Sequence, residues 1–133
     1  MARIVLVMHA PLATAFSECA QHVLGSKSDL QVFDVHPDDS PDEQVSRLVE
    51  LLAAGRQEGV LILCDIFGAT PFNIASRALK LAVQQGISGH LITGTNLCMV
   101  LKALTDQEKN PDELSEAVRK GALKGIVNAD QVP

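Results

Sequence analysis

Aromatic residues are scarce in this chain of 133 residues. They make up 3% of it, and the sequence contains no Trp and no Tyr. A core with so few rings must be built from Ala, Val, Leu and Ile, which suits helices packed on a parallel sheet. The chain also lacks the aromatic platform on which single-stranded nucleic acids stack their bases.

Basic residues are also few, and they form no cluster along the sequence. Eleven Lys and Arg stand against sixteen Asp and Glu, so the formal net charge is −5. A protein that binds the phosphate backbone of DNA or RNA needs a positively charged stripe. We therefore expect no nucleic-acid partner.

Long apolar runs and paired cysteines are missing as well. No run approaches the roughly 20 residues of a membrane span, and the apolar stretch after Arg3 is too short for a signal-peptide core. We therefore expect a cytoplasmic protein without direct membrane insertion. The cysteines, Cys19, Cys64 and Cys98, are odd in number and lack CxxC spacing. They are predicted to be reduced thiols in apolar surroundings, without a disulfide or a zinc ion.

Apolar runs alternate with helical patterns along the chain. Strands are predicted at residues 3–8, 31–35, 59–64 and 88–93, and helices at residues 12–24, 41–54, from 71 onward, 97–104 and 111–122. Parallel strands need crossover connections, which are right-handed. The pattern predicts a single α/β domain over residues 1–133, with a doubly wound, mostly parallel sheet in the order 2-1-3-4 and helices on both faces.

A short apolar stretch, residues 125–127, follows the last predicted helix. A stretch of this size is too small to stand alone and is expected to add to a sheet edge. Two arrangements are open: it pairs within its own subunit, or it crosses to a second copy.

His9 directly follows the first predicted strand, and Asp65 directly follows the third. These strands are neighbours in the order 2-1-3-4, and ligands bind in the crevice outside their carboxyl ends. A carboxylate that accepts a hydrogen bond from Nδ1–H fixes the tautomer of the ring and leaves Nε2 free to attack an electrophile. His9 and Asp65 are therefore the predicted catalytic pair. The alternatives are a structural histidine at this turn and a carboxylate that only stabilises the start of the next helix.

The loop after Asp65 carries the features of a phosphate site. Gly68 lets the backbone approach a ligand, Thr70 is the predicted N-cap of the next helix, and Pro71 suits its first position. Two helix starts, this one and the one after Ala10, would present amides to the crevice. Because phosphoryl transfer depends mainly on such donors and on in-line geometry, we expect no metal and no cofactor.

The other histidines allow simpler explanations. His22 and His90 are predicted to be structural. His36 precedes Asp38 and Asp39 and follows the second strand, so it is either part of a solvated, Asp-rich turn or a functional residue on the same rim. A metal-dependent hydrolase that uses His9, His36, Asp38 and Asp65 is an alternative, although their spacing matches no metal motif.

Three stretches of the sequence resemble a known family. They are residues 4–9, residues 59–65 with 68–77, and residues 94–99. The middle stretch contains the specific block Asp-x-x-Gly-x-(Ser/Thr)-Pro-x-Asn. In these stretches the chain resembles the mannose-family enzyme IIA of the bacterial phosphoenolpyruvate-dependent phosphotransferase system.

The resemblance implies a function for each of these residues. His9 would receive a phosphoryl group from the phosphocarrier HPr and pass it to an enzyme IIB, as a phosphotransferase in sugar uptake. Asp65 would orient His9, and Thr70, with Gly68 and Ala10, would line the phosphate site. The stretch 125–127 would be exchanged in a homodimer. A regulatory module that signals through its phosphorylation state, without a sugar transporter, is the alternative.

Overall fold

A computed structural model describes residues 1–26, 29–55 and 58–132. These residues form strands and helices in alternation, with bounds close to the predicted ones. In chain order the elements are β1 (Arg3–His9), α1 (Leu12–Leu24), β2 (Gln31–Val35), α2 (Pro41–Ala53), β3 (Val60–Cys64), α3 (Thr70–Gln84), β4 (Gly89–Ile92), α4 (Leu97–Thr105), α5 (Pro111–Lys124) and a 3₁₀ helix (Ala129–Gln131). Within these ranges, no helix is long and apolar enough to cross a membrane.

The four strands form one parallel sheet in the order β2-β1-β3-β4. The central strand β1 pairs with β2, where His9 lies opposite Val35, and with β3, where Val7 lies opposite Cys64. The predicted fold class and strand order are confirmed. The carboxyl ends of β1, β2 and β3 consequently lie side by side at one end of the sheet.

Helices cover both faces of this sheet. Ile4, Leu6 and Met8 of β1 pack toward α1, α4 and α5, whereas Val5 and Val7 pack toward α2 and α3. All five side chains are fully buried. Because side chains alternate across a strand, a strand covered on both faces must be apolar at every position, which explains the continuous apolar run. The fully buried residues of the described chain include no aromatic ring.

The start of α1 is capped by a residue of the neighbouring strand. Pro11 stands at the N-cap position and offers no side-chain hydrogen bond. Instead, Oδ1 of Asp34 on β2 accepts hydrogen bonds from the backbone amides of Ala13, at 2.9 Å, and Thr14, at 3.4 Å. The hydroxyl of Thr14 donates to Oδ2 of the same carboxylate. Asp34 therefore links the start of α1 to β2, one residue before the position opposite His9.

The stretch 125–127 does not form the predicted strand within this chain. α5 continues to Lys124, and the N–H of Gly125 closes the helix on the carbonyl groups of Gly121 and Ala122. The next two side chains, Ile126 and Val127, are 71% and 56% exposed. The apolar stretch therefore follows α5 directly and does not pair with the four-stranded sheet of its own chain.

The surroundings of the cysteine thiols also differ from the predicted ones. Cys64 is buried between the sheet and α2 and α3, as expected, but Cys19 and Cys98 are exposed. In α1 the core-facing positions are taken by Ala13 and Ala20, which leaves Cys19 on the outer side. The prediction of apolar surroundings was therefore wrong for two of the three cysteines.

The cap of α1 gives a first prediction. Replacing Asp34 with Ala removes the acceptor for two amides and a hydroxyl, so the free energy of unfolding should fall by about 1–2 kcal/mol, as for the loss of other helix caps. Urea denaturation measures the difference. Asp38→Ala, which changes an exposed residue of the following loop, should stay within about 0.5 kcal/mol of the unchanged chain. Equal stabilities of the two variants would show that Asp34 is not the cap.

Candidate functional site

His9 and Asp65 meet at the carboxyl edge of the sheet. His9 is the last residue of β1, and Asp65 directly follows β3. The distance from His9 Nδ1 to Asp65 Oδ2 is 2.7 Å, so the predicted contact between the two side chains is present. The same oxygen accepts the backbone N–H of His9 at 3.0 Å, and Oδ1 accepts the N–H of Ile66 at 3.0 Å. Two backbone amides therefore hold the carboxylate in place.

This geometry fixes the tautomer of the imidazole ring. An ionised carboxylate only accepts hydrogen bonds, so Nδ1 carries the hydrogen and Nε2 of the neutral ring carries the free electron pair. The side chain of Asp65 is 7% exposed, whereas that of His9 is 47% exposed. A nearly buried carboxylate thus orients a half-exposed imidazole ring.

The charge of Asp65 is maintained by its hydrogen bonds. Burial raises the pKa of Asp65, but the hydrogen bonds from the ring and the backbone N–H of His9, together with the charge of that ring, outweigh burial and hold the pKa below its usual value. The carboxyl group is therefore ionised throughout the neutral pH range. Burial, followed by the charge of Asp65, raises the pKa of the neighbouring Cys64 to about 12. Its thiol stays neutral within the core.

The loop before α4 anchors the backbone next to Asp65. The N–H of Gly94 donates to the carbonyl of Asp65 at 3.2 Å, and the N–H and hydroxyl of Thr95 donate to the carbonyl of Cys64 at 3.2 and 2.6 Å. Gly94 has a φ of +75°, which favours glycine. Sequence reasoning from the residues did not assign this role to the loop, although the stretch belongs to those that carry the family resemblance.

A cavity of about 410 Å³ opens beside His9, and we call it the His9 cavity. Three of the predicted site residues, His9, Ala10 and Thr70, line this cavity. Asp65 contacts the ring of His9 but does not line the cavity. Gly68 has a φ of +81° in the loop before α3 but is not among the lining residues. The lining residues are His9, Ala10, Val35, His36, Pro37, Asp39, Pro41 and Thr70.

The two helix starts near the cavity differ from the prediction. Ala69, with an extended backbone, is the N-cap of α3, so Thr70 is its first residue and not its cap, and Pro71 is its second. The hydroxyl of Thr70 is therefore not used to cap the helix. The first amides of α3 have no partner within the helix. At the start of α1, by contrast, Asp34 already binds two amides, so the expectation of two open helix starts was wrong for α1.

His36 forms a second His–Asp pair on the wall of the His9 cavity. Oδ2 of Asp39 accepts the backbone N–H of His36 at 2.8 Å and lies 3.6 Å from its Nδ1. The turn that the sequence predicted is therefore present, and its histidine also faces the predicted rim. Asp38 does not line the cavity. The described residues contain no group of three or more His, Cys, Asp or Glu side chains placed to hold a metal ion.

The remaining histidines lie elsewhere. His22 is exposed in the last turn of α1, and His90 on β4 pairs with Asp112 on α5.

The two residues that follow Asp65 are apolar and exposed: Ile66 is 56% exposed and Phe67 is 76% exposed. These two side chains give the surface beside Asp65 an apolar character.

A family model and curated proteins match this chain. The model, described as PTS system fructose IIA component, matches residues 3–120. The PTS system sorbose-specific EIIA component of Lacticaseibacillus casei is 29% identical over 99 residues, which are 74% of this chain and 69% of that protein. The PTS system mannose-specific EIIAB component of Escherichia coli (strain K12) is 28% identical over 126 residues, 92% of this chain. The match spans only 38% of that protein's length.

A solved structure shares the fold. The phosphotransferase system component EIIA from Streptococcus agalactiae superposes with a TM-score of 0.87, over 99% of this chain and 100% of the other. The two sequences are 21% identical, so this likeness concerns the fold alone.

The His9–Asp65 contact predicts how Asp65 titrates. Carbon-detected NMR should give Asp65 a midpoint below the usual value of about 3.9. Because the folded pKa is the lower one, the stabilisation from this carboxylate is complete above about pH 4 and is lost as the pH falls through the folded pKa. His9→Ala removes the ring but keeps the backbone amide, so the midpoint should rise, whereas His22→Ala should leave it unchanged. An unchanged midpoint in His9→Ala would contradict the contact.

Proposed function

The chain belongs to the family of fructose IIA components of the phosphotransferase system, and on that premise we propose that it is a phosphohistidine carrier whose acceptor is Nε2 of His9. The observation that carries this proposal is the 2.7 Å contact between His9 Nδ1 and Asp65 Oδ2. It leaves one ring nitrogen with a free electron pair at an open cavity. This arrangement is what a nucleophile for phosphoryl transfer requires.

The transfer involves one bond that forms and one that breaks. The electron pair of His9 Nε2 attacks the phosphorus of a phosphorylated carrier protein, and the bond from phosphorus to the donor atom breaks with its electrons returning to the donor. The ring of His9 then carries a positive charge, with Nδ1–H still donated to Asp65. The carboxylate stabilises that charge. In the transfer to the acceptor, a nucleophile of the acceptor attacks the phosphorus, and the bond from phosphorus to His9 Nε2 breaks with its electrons returning to Nε2. No cofactor takes part.

Donors for the phosphoryl oxygens are available on one side of the His9 cavity. The hydroxyl of Thr70 lines it, and the first amides of α3 lie at the same helix start. Such amides favour negatively charged groups. In this proposal Thr70 and the loop at Gly68 supply donors for the phosphate site, and Ala10, whose N–H donates to the carbonyl of Val35, only lines it.

The partners of this carrier are an HPr-like phosphocarrier as donor and an enzyme IIB as acceptor. Both must bring their own reactive group to His9, so both must bind at the carboxyl end of the sheet. Ile66 and Phe67 offer exposed apolar area there, and the ring of Phe67 packs on Phe72 with centroids 4.8 Å apart. Sugar uptake and regulation by phosphorylation state use the same phosphohistidine, and the proposal covers both.

The acceptor is tested by incubation with phosphoenolpyruvate, enzyme I and HPr, followed by intact mass before and after mild acid, which hydrolyses phosphohistidine. We expect one acid-labile phosphoryl group on the unchanged chain and none on His9→Ala. Because His9 is at the end of a strand and half-exposed, circular dichroism should show an intact fold. His22→Ala and His90→Ala are matched controls and should accept phosphate. Phosphorylation of His9→Ala would refute the assignment.

We also propose that the carrier is a homodimer. β4 is an edge strand of the sheet, and the apolar side chains of Ile126 and Val127 are exposed beyond α5. An edge strand offers unpaired backbone groups to a further strand. Pairing of this tail with β4 of a second copy would complete both sheets, and strand exchange is a low-cost route to a dimer.

The dimer is tested by removing the tail. A chain that ends after Gly125 keeps all of α5 and should give a monomer mass in light scattering at micromolar concentration, whereas the full chain should give a dimer mass. Ile126→Asp in the full chain should shift it toward monomer. Val132→Asp, at another exposed apolar position of the tail, should not. A monomeric full chain would refute strand exchange and leave the chemistry at His9 unaffected.

A further inference from the structure

In the part of the chain that the structure describes, the walls of the His9 cavity contain no fixed positive charge. Among the described residues that line it, none is Lys or Arg, and the only carboxylate is that of Asp39. A phosphoryl group adds a charge of about −1.5 to −2 at neutral pH. On His9 Nε2 that charge would lie close to the ionised Asp65. The phosphorylated state therefore calls for a hydrogen-bond donor in the cavity besides Thr70 and the amides of α3.

His36 is placed to be that donor. In the sheet, His9 lies opposite Val35, and the N–H of Ala10 donates to the carbonyl of Val35 at 2.9 Å. His36 is the next residue, so it leaves β2 one position beyond His9 on a strand only about 4.8 Å away. The side chains of both histidines line the same cavity.

The His36–Asp39 pair repeats the arrangement of the catalytic pair. In each pair, one carboxylate oxygen faces both the backbone N–H and Nδ1 of the same histidine. The distances to Nδ1 are 2.7 Å for His9 and 3.6 Å for His36. At 3.6 Å the oxygen of Asp39 is beyond hydrogen-bond distance from Nδ1 of His36, but it lies on the Nδ1 side of the ring, and Nε2 lies on the opposite side. With 65% of its side chain exposed, His36 is accessible to a group on His9.

The other charged groups around His36 do not replace it. Asp34 and Arg47 share a neighbouring cavity with His36 and Asp39, but neither lines the His9 cavity. Asp34 is engaged by the start of α1. His36 is therefore the one ionisable donor, besides His9 itself, among the described residues of the His9 cavity.

We propose that His36 is a positioning residue for phosphoryl transfer: as an imidazolium, which carries a hydrogen on both ring nitrogens, it donates Nε2–H to an oxygen of the phosphoryl group on His9, with Nδ1–H on the side of Asp39. This inference rests on the proposed function. It assigns His36 no phosphoryl group of its own, because Asp65 already prepares His9 as the nucleophile. The bond exists only in the phosphorylated state, so it favours that state over the free one.

The test compares His36→Ala, His36→Gln and His36→Asn, phosphorylated with phosphoenolpyruvate, enzyme I and HPr. The readouts are the equilibrium constant for transfer from phospho-HPr and the ³¹P chemical shift of phospho-His9. All three variants should be phosphorylated on His9. His36→Ala should lower the equilibrium constant roughly tenfold, as expected for a lost hydrogen bond to a charged group, and should move the ³¹P signal.

The two amide variants separate positioning from a structural role in the turn. The amide nitrogen of Gln comes close to the place of Nε2, whereas that of Asn comes close to the place of Nδ1. His36→Gln should therefore restore most of the equilibrium constant and the ³¹P shift, and His36→Asn should resemble His36→Ala. His90→Gln changes a histidine that is also paired with an aspartate, outside the cavity, and should match the unchanged chain.

Other results would overturn either the role of His36 alone or the proposed function together with it. If His36→Ala matches the unchanged chain in both readouts, or if Gln is no better than Asn, the inference is overturned and the proposed function stands. If the unchanged chain takes up no phosphoryl group on His9, the proposed function and this inference are both overturned.

Discussion

The parallel pairing of β1 with β2 and β3 determines where the functional side chains lie. β1 is central and covered on both faces, so a shift of its register by one residue would exchange the larger side chains of one packed face with the valines of the other. The core therefore fixes His9 relative to the residues that follow the neighbouring strands. Those residues are His36, after β2, and Asp65, after β3. The site depends on the register more than on any single loop.

Asp65 links this scaffold to the chemistry. Its carboxylate is nearly buried and is held by two backbone amides, one from each of the segments that meet at the site. Its remaining contact holds Nδ1 of His9. Because the hydrogen bonds from His9 hold the pKa of Asp65 below its usual value, the ionised carboxylate accepts the hydrogen of Nδ1, and the neutral ring has one tautomer. In the proposed function, this contact prepares Nε2 of His9 as the nucleophile by keeping the hydrogen on Nδ1.

The sequence predicts this arrangement to the extent that local patterns encode it. Continuous apolar runs mark strands covered on both faces, and the strand order then places His9 beside Asp65. The cap at Asp34 could not be predicted, because it comes from a strand distant in sequence. The cap of α3 depends on backbone angles at Ala69, and Thr70 looked like the better cap by residue type. The stretch 125–127 forms no strand within the single chain, where α5 extends further than its pattern indicated.

The most direct measurement is NMR of the phosphorylated chain, in which phosphorus–nitrogen and proton–nitrogen couplings identify the ring atoms of His9. If Asp65 fixes the tautomer as the contact indicates, phosphorus is bonded to Nε2, and Nδ1 carries a proton in a hydrogen bond to the carboxylate. In Asp65→Asn that proton signal should weaken or exchange faster. Phosphorus on Nδ1 of His9, or on another histidine of the chain, would contradict the central role given to this pair.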